Sequence, residues 1–257
     1  MLPKINTLWV QGRLSFIERL CLTSMLAAGH SVTLYTYHGV ENVPEGITIG
    51  DGRDILPLDQ LLRHRQTNSY ALGSDIFRYR LLKEGLGIWL DTDVLCLRPI
   101  ELDDQYLFGW EDAHQINGSV LYLPEDSGIL DDLLRYCSSK PLIPPWWPTD
   151  KKINQYFNWL INKHNSAEAM EWGICGPKAL THFVKRHCLI QAAKPQTCFY
   201  PVHYSQSEMC FGPEENVSAL LTEDAKCIHL WNEMIKTRKN EPPPEGSFLL
   251  RMCTEHG

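Results

Sequence analysis

The stretch GLGIWLDTDV, Gly85–Val94, places two carboxylates directly after a short apolar run. The run Ile88–Leu90 has the β-branched and aromatic character of a buried strand. Asp91 and Asp93 follow it, separated by one small residue. Carboxylates at such a position either cap a turn or hold a divalent cation that prefers oxygen ligands. The tripeptide alone leaves both interpretations open.

Strands and helices alternate on the amino-terminal side of this stretch. Residue types and spacing predict strands at Ile5–Val10 and Ser31–Tyr37, with a helix between them that stops at Gly29. A second helix, capped by Ser74 and ending at Gly85, leads into the third main strand. This alternation predicts an α/β fold with a mainly parallel central sheet flanked by helices.

Three of these predicted strands end in polar or aromatic residues. The ends are Trp9–Gly12, Thr36–Gly39 and Asp91–Asp93. Ligands of open α/β sheets bind at the carboxyl ends of the strands. We therefore expect the three ends to converge on one site.

Composition excludes some classes of protein. A net charge of -7 argues against a nucleic-acid binder, which needs clustered cations to neutralise phosphates. The nine cysteines are dispersed without a CxxC pair, as expected for reduced thiols in a cytoplasmic protein. We expect no signal peptide and no transmembrane segment, so any membrane contact would be peripheral, at the inner face.

The second predicted helix carries two charged residues on one face. Asp75 and Arg78 are three residues apart, and Asp75 is expected in the first turn, where the helix dipole favours a negative charge. A surface ion pair is the alternative interpretation. The combined pattern is S-D-x-x-R, followed by G-x-x-L-D-T-D.

This pattern resembles the DXD-motif glycosyltransferases of the α-1,4-galactosyltransferase and capsular polysaccharide type. Further landmarks occur in the same order along the chain: the opening strand, a W-G-x-x-G-P stretch, F-Y-P and H-x-W-N, at Leu2–Gly12, Glu171–Leu180, Phe199–Pro201 and Cys227–Lys236. Asn6 stands where a histidine is common in that family. The resemblance covers about 230 residues.

The resemblance implies a single GT-A type nucleotide-sugar-binding domain with an irregular acceptor-side portion. The expected domain is 1–239, divided into a nucleotide-sugar half (1–125) and an acceptor-side half with the closing segment (126–239), followed by a tail (240–257). The implied reaction moves a hexose or N-acetylhexosamine, with retention, from a nucleotide-sugar to a hydroxyl of a glycan or glycolipid. A UDP-sugar is the favoured donor, and Mn²⁺ or Mg²⁺ is the implied cofactor.

The resemblance also assigns roles at the metal and the sugar. Asp93 would bind the cation, Asp91 would bind the cation or the ribose, and His229 would be a third ligand. Asp75 and Arg78 would hold hydroxyls of the donor sugar and belong with the two aspartates to the catalytic set.

Other residues are expected to bind the donor or the acceptor. The donor set adds a base-stacking tryptophan, base- or ribose-edge residues, a sugar contact and an indole donor to phosphate: Trp9, Tyr35, Thr36, Asn117 and Trp231. The acceptor set is Trp146, Trp147 and Glu171. Ordinary core packing is the alternative for the tryptophans, and a turn residue is the alternative for Asn117.

Three other functions fit parts of the pattern. A protein-modifying glycosyltransferase would carry the same motifs. A nucleotidyltransferase also uses paired aspartates, but Leu2–Arg13 is a poor match to its phosphate loop. A non-catalytic sugar-binding module is disfavoured by the intact charged residues.

Overall fold

The computed structural model describes residues 1–102, 104–162, 168 and 170–256. The strands are β1 (Ile5–Leu8), β2 (Gly12–Arg13), β3 (Val32–Thr36), β4 (Val40–Glu41), β5 (Thr48–Asp51), β6 (Ile88–Leu90), β7 (Val94–Cys96), β8 (Leu107–Trp110), β9 (Ile116–Tyr122) and β10 (Cys227–His229). The α-helices are α1 (Phe16–Ala27), α2 (Ala71–Lys83), α3 (Gly128–Cys137), α4 (Thr149–Asn162), α5 (Pro177–Arg186), α6 (Gln196–Phe199), α7 (Glu214–Ser218) and α8 (Phe248–His256).

The central sheet has the strand order β5-β3-β1-β6-β9-β8. The first four of these strands are parallel, and β9 runs antiparallel to both β6 and β8. Gly87 allows β1 and β6 to approach closely, because a Cβ at this position would lie 2.3 Å from the carbonyl oxygen of Lys4. The predicted α/β class with a mainly parallel central sheet is confirmed.

Helices cover both faces of this sheet. One core packs α2, α3 and α5 against side chains such as Trp89, whereas α1 packs on the opposite face against side chains such as Leu90. Trp89 and Leu90 point to opposite faces of the sheet, and each packs into one of the two cores. Strand β6 is therefore apolar on both faces. A strand buried on both faces delivers its next residues to the edge of the sheet.

Helix α2 begins earlier than the sequence predicts. Ser74 was the expected cap, but the helix starts at Ala71, where the Ser69 hydroxyl accepts a hydrogen bond from the Ala71 N–H at 3.1 Å. Asp75 therefore lies in the second turn, and the predicted first-turn position is wrong. Its carboxylate gains nothing from the end of the helix dipole and depends on side-chain partners instead.

The segment expected to be a tail contains helix α8, which buries Phe248, Leu249 and Met252 against a core that includes α1.

In α4, apolar side chains such as Phe157 and Ile161 are exposed. No helix in the described part of the chain is long and apolar enough to cross a membrane.

The cysteines form no disulfide. All nine are free thiols, and seven of them are buried, among them Cys96 and Cys227 on paired strands. The buried thiols serve as small apolar residues of the core.

Candidate functional site

The turn after β6 presents both aspartates of the opening stretch. The backbone N–H of Asp91 donates to the carbonyl of Ser119 on β9 at 2.8 Å, and the N–H of Val94 closes the turn on the Asp91 carbonyl at 3.1 Å. The Asp91 side chain is one-quarter exposed, whereas that of Asp93 is only 10% exposed. The two carboxylates lie at the carboxyl end of a parallel strand, as predicted.

His229 reaches this turn through strand pairing. Strand β10 runs antiparallel to β7, with His229 opposite Val94. The Leu230 N–H donates to the Asp93 carbonyl at 2.9 Å, and His229 Nε2 lies 3.2 Å from Asp93 Oδ2. The backbone N–H of Asn232 donates to the same carboxylate oxygen at 2.7 Å. Residues more than 130 positions apart therefore meet at one carboxylate.

These residues form a candidate metal centre. Asp91, Asp93 and His229 each offer one ligand atom, and the three atoms lie within 4.8 Å of one another. Two carboxylates and an imidazole suit a cation such as Mn²⁺, and His229 Nδ1 is buried without a hydrogen-bond partner. The donor set fits the divalent cation that the sequence implies.

The charges in this centre influence one another. Burial alone would raise the pKa of Asp93, but the charge of His229 and hydrogen bonds from His229 and the Asn232 N–H hold that pKa below its usual value. Burial alone would lower the pKa of His229, and the Asp93 carboxylate raises it instead. For Asp91, burial raises the pKa despite the nearby charge of Arg78. Without a cation, the histidine serves as the positive partner of Asp93.

Arg78 contacts both Asp91 of the candidate metal centre and Asp75, its predicted neighbour on α2. Its guanidinium lies 3.4 Å from Asp75 Oδ1 and 3.2 Å from Asp91 Oδ1. It also donates to the Gly118 carbonyl at 2.8 Å and lies 5.2 Å from the centre of the Trp89 ring. The alternative interpretation, a surface ion pair, is wrong: Arg78 is buried between two carboxylates.

Asp75 is held more weakly than Asp91. Burial raises the pKa of the Asp75 carboxyl to about 7, despite the opposing charge of Arg78. The backbone of Gly176 packs directly on this carboxylate, because a Cβ there would lie 2.5 Å from Asp75 Oδ2. The carboxyl group therefore sits at the floor of a cleft between α2 and α5.

The raised pKa of Asp75 predicts a pH-dependent stability difference. In the unfolded chain this carboxyl has its ordinary pKa near 3.8, so the folded state binds its proton more tightly. The wild type should then lose stability relative to Asp75→Asn as pH rises from about 4 to about 7. We expect Asp75→Asn to melt a few degrees above the wild type at pH 8, with a smaller difference at pH 5. Equal differences at both pH values in thermal denaturation without metal would contradict this.

Asn117 and Glu111 form the opposite wall of the site. Asn117 lies on β9, where its side-chain oxygen accepts from the Ser119 N–H and its Nδ2 donates to Glu111 Oε2, both at 2.7 Å. Asn117 is thus a strand residue and not a turn residue. Glu111 was not predicted from the sequence. Its signal was available, because it follows the apolar strand β8 as Asp91 follows β6.

Two cavities meet at the aspartates of the candidate metal centre. The larger, of 570 Å³, contains all three candidate metal ligands together with Asp75, Arg78, Glu111, Asn117, Glu171 and Trp231. The smaller, of 320 Å³, is lined by the end of β1, including Trp9. Arg78, Asp91 and Asp93 line both. Of the expected donor residues, Trp9 thus lies on one side of the carboxylates, and Asn117 and Trp231 lie on the other.

A network from α1 holds the segment after β10 against these cavities. Glu18 is fully buried, accepts from Asn232 Nδ2 at 3.0 Å and pairs with Lys239 Nζ at 2.8 Å. The same lysine lies 5.1 Å from the centre of the Trp9 ring. The network was not predicted. Its signal, the S-x-x-E capping box at Ser15, was visible in the sequence.

Several predicted residues lie elsewhere. Tyr35 and Thr36 line neither cavity, and Tyr35 packs edge-on against Phe77 in the core. Trp146 packs on Tyr136 and also lies outside both cavities. The end of β3 does lie beside the end of β1, where the Tyr37 N–H donates to the Val10 carbonyl at 3.1 Å, but Tyr35 and Thr36 do not reach the cavities.

Three further predicted residues have partners of their own. Trp147 lies outside both cavities, beneath the ammonium group of Lys151. Glu171 lines the larger cavity at its rim, paired with Lys178 at 2.7 Å. Trp231 also lines it, but its indole N–H donates to the Val202 carbonyl at 2.8 Å, so in this structure that N–H is not free for a phosphate.

Comparisons with known proteins extend this description. A family model described as "Alpha 1,4-glycosyltransferase conserved region" matches residues 160–256, a segment that contains His229 but not the two aspartates. Alpha-1,4-N-acetylglucosaminyltransferase of Homo sapiens is 23% identical over 194 residues, which are 68% of this chain and 47% of that protein. The chain thus spans about half the length of this curated relative.

A solved structure, PaToxG Glycosyltransferase, matches with a TM-score of 0.44 and 14% sequence identity, covering 72% of this chain and 71% of that one. The family model matches 97 residues of the chain and the human relative matches 194, and both are named as alpha-1,4 sugar transferases. These two sequence comparisons support a glycosyltransferase, and the chain is similar to the α-1,4 group of such enzymes.

Proposed function

We propose that this chain is a metal-dependent, retaining glycosyltransferase. It transfers a hexose or N-acetylhexosamine from a nucleotide-sugar, preferably a UDP-sugar, to a hydroxyl of a glycan or glycolipid. The name of the human relative favours N-acetylglucosamine as the first sugar to test and an α-1,4 linkage as the first product to seek. The observation that carries the proposal is the meeting of two cavities at Asp91 and Asp93, which form a candidate metal centre with His229.

The smaller cavity suits the nucleotide. Trp9 presents an aromatic ring at the end of β1, and its indole N–H is buried without a hydrogen-bond partner. Stacking on such a ring is the usual way to hold a base. In this proposal the base takes the place of the Lys239 ammonium over Trp9. Lys239 also lines the larger cavity, so its ammonium is available to the negatively charged phosphates at the candidate metal centre.

The diphosphate lies at the candidate metal centre in this proposal. Asp91, Asp93 and His229 would hold Mn²⁺ or Mg²⁺, and a cation bound there would offset the charge of the leaving diphosphate. The protein holds Asp93 ready through the backbone N–H groups of Leu230 and Asn232.

The larger cavity suits the sugars. Asp75 and Arg78 are placed by α2 at its floor, where a carboxylate and a guanidinium can bind neighbouring hydroxyls. Arg78 cannot rotate freely because Gly118, Asp91 and the Trp89 ring all hold it. A fixed sugar orientation reduces the entropic cost of reaching the transition state.

The proposed chemical step exchanges one bond at the anomeric carbon for another. The bond from this carbon to the diphosphate oxygen breaks, and a bond to the acceptor oxygen forms on the same face. The acceptor proton passes to the departing diphosphate oxygen. No base from the protein is required, and the anomeric configuration is retained.

A thermal-shift panel tests the donor and the metal together. UDP- and GDP-sugars, including UDP-N-acetylglucosamine, are measured with Mn²⁺, with Mg²⁺ and with EDTA. We expect one UDP-sugar to raise the melting temperature by several degrees only with metal, because binding to the folded state stabilises it. Stabilisation by no nucleotide-sugar under any condition would overturn the proposal. NMR of the product then reads the anomeric configuration, and an inverted product would remove the retaining step.

A further inference from the structure

Glu111 is a buried carboxylate that faces the larger cavity. It follows β8 directly and is 7% exposed. The cavity wall around it includes Asn117 and His229, so Glu111 lies on the same space as the candidate metal centre. Its place corresponds to that of Asp91: each is the first residue after an apolar strand of the central sheet.

The hydrogen bonds of Glu111 come from neutral amides. Asn117 Nδ2 donates to Oε2 at 2.7 Å, and Gln115 Nε2 lies 3.4 Å from the same oxygen and 3.5 Å from Oε1. Within the described residues, no lysine, arginine or histidine nitrogen lies within ion-pair distance of Glu111, whereas Asp75, Asp91 and Asp93 each have such a partner.

A purely structural role does not account for this negative charge. A buried charge that no cation contacts directly lowers stability, because it loses its hydration, and the charge of His229 acts on Glu111 only from beyond ion-pair distance. A glutamine in the same place would present its carbonyl oxygen to Asn117 and keep that contact. The contact between residue 111 and Asn117 in the cavity wall therefore does not require a charged side chain at position 111.

A sugar in the cavity would make use of the charge. Hydroxyl groups donate to carboxylates in short hydrogen bonds that are about twice as strong as those between neutral groups. Glu171, the glutamate predicted from the sequence, is less suited, since it lies at the rim, 44% exposed and paired with Lys178.

We propose that the Glu111 carboxylate accepts a hydrogen bond from a sugar hydroxyl and thereby positions that sugar at the metal centre. The inference rests on the proposed glycosyltransferase function and adds a substrate-binding residue to it. The hydroxyl belongs either to the donor sugar or to the acceptor sugar, and the experiment separates these sources.

The test compares Glu111→Gln with the wild type and with Glu84→Gln, a matched change at an exposed position after α2. We expect Glu111→Gln to fold with a melting temperature at or above that of the wild type, because a buried charge is removed. Its kcat/KM for transfer should fall by about 10- to 100-fold, the effect of losing one hydrogen bond to a charged group. Glu84→Gln should match the wild type.

Thermal shifts and kinetics then identify the sugar. UDP with Mn²⁺ should stabilise Glu111→Gln as it does the wild type. If the hydroxyl is on the donor, the additional shift given by the UDP-sugar over UDP is lost. If it is on the acceptor, that shift persists and KM for the acceptor rises.

Two different results would contradict the role of Glu111 and the glycosyltransferase proposal, respectively. Wild-type kcat/KM together with a wild-type sugar-dependent shift in Glu111→Gln would overturn the role of Glu111 and leave the glycosyltransferase proposal standing. A wild-type protein that neither binds nor transfers any nucleotide-sugar would overturn the glycosyltransferase proposal itself, and the role of Glu111 with it.

Discussion

Replacing Asp93 by alanine is expected to lower the rate of sugar transfer by at least about 1000-fold. His229 Nε2 and the Asn232 N–H both contact the Asp93 carboxylate. The substitution therefore removes a proposed metal ligand and also the group that holds His229 and Asn232 in place. Stabilising a leaving diphosphate contributes several kcal/mol, and each 1.36 kcal/mol of barrier is a factor of ten in rate. Initial rates with a saturating UDP-sugar and Mn²⁺ measure the effect.

Two controls accompany the Asp93 variant. Asp59→Ala removes an exposed carboxylate and should leave the rate unchanged. EDTA should bring the wild type down to the level of Asp93→Ala and should leave that variant as it is. A variant that retains more than about a tenth of the wild-type rate would contradict the assignment, since one lost metal ligand should cost several kcal/mol of barrier.

Replacing Arg78 by alanine is expected to reduce the free energy of unfolding by about 3–5 kcal/mol. The guanidinium is 7% exposed and lies between Asp75 and Asp91, so its removal leaves two carboxylates without their cation in a buried place. For a chain of this size that loss lowers the melting temperature by roughly 6–20 °C. Denaturant and thermal unfolding without metal or nucleotide measure it directly.

The cause of this loss can be separated from general damage to α2. Arg80→Ala changes the same helix at a residue whose guanidinium contacts Gln60 at 3.3 Å, and we expect a change below about 1 kcal/mol. Adding Asp75→Asn to Arg78→Ala should recover part of the stability, because one of the unpaired charges disappears. Equal losses for Arg78→Ala and Arg80→Ala would show that the buried charges are not the cause.

The fold was predictable where residue type and position agree. Strand β3 lies within a residue of its expected bounds and helix α1 ends two residues before the predicted stop at Gly29, because β-branched residues and a helix-ending glycine act locally. The predicted start of α2 was wrong because the helix begins at Ala71 with Tyr70 at its N-cap and no side-chain cap, so the serine signal at Ser74 was misleading. Local pattern therefore fixes the type of an element better than its ends.

The candidate site was predictable in its carboxylates but not in its walls. Asp91 and Asp93 stand out because they interrupt an apolar strand end. His229 entered only through resemblance, since its approach depends on the pairing of β7 with β10 across more than 130 residues. Glu111 was missed because its strand was not recognised. Tyr35 was assigned to the site because a strand end does not reveal which face a side chain takes.

The pairing of β10 with β7 means that Asp91 and Asp93 are only part of the candidate metal centre. The backbone donors of Leu230 and Asn232 and the ring of His229 all arrive from the carboxyl-terminal quarter of the chain. The segment therefore orients Asp93, so a cation bound there would meet a carboxylate that is already in place. A fragment ending before residue 227 would keep the whole motif and lose this preorganisation, and its affinity for Mn²⁺ should resemble that of any exposed pair of aspartates.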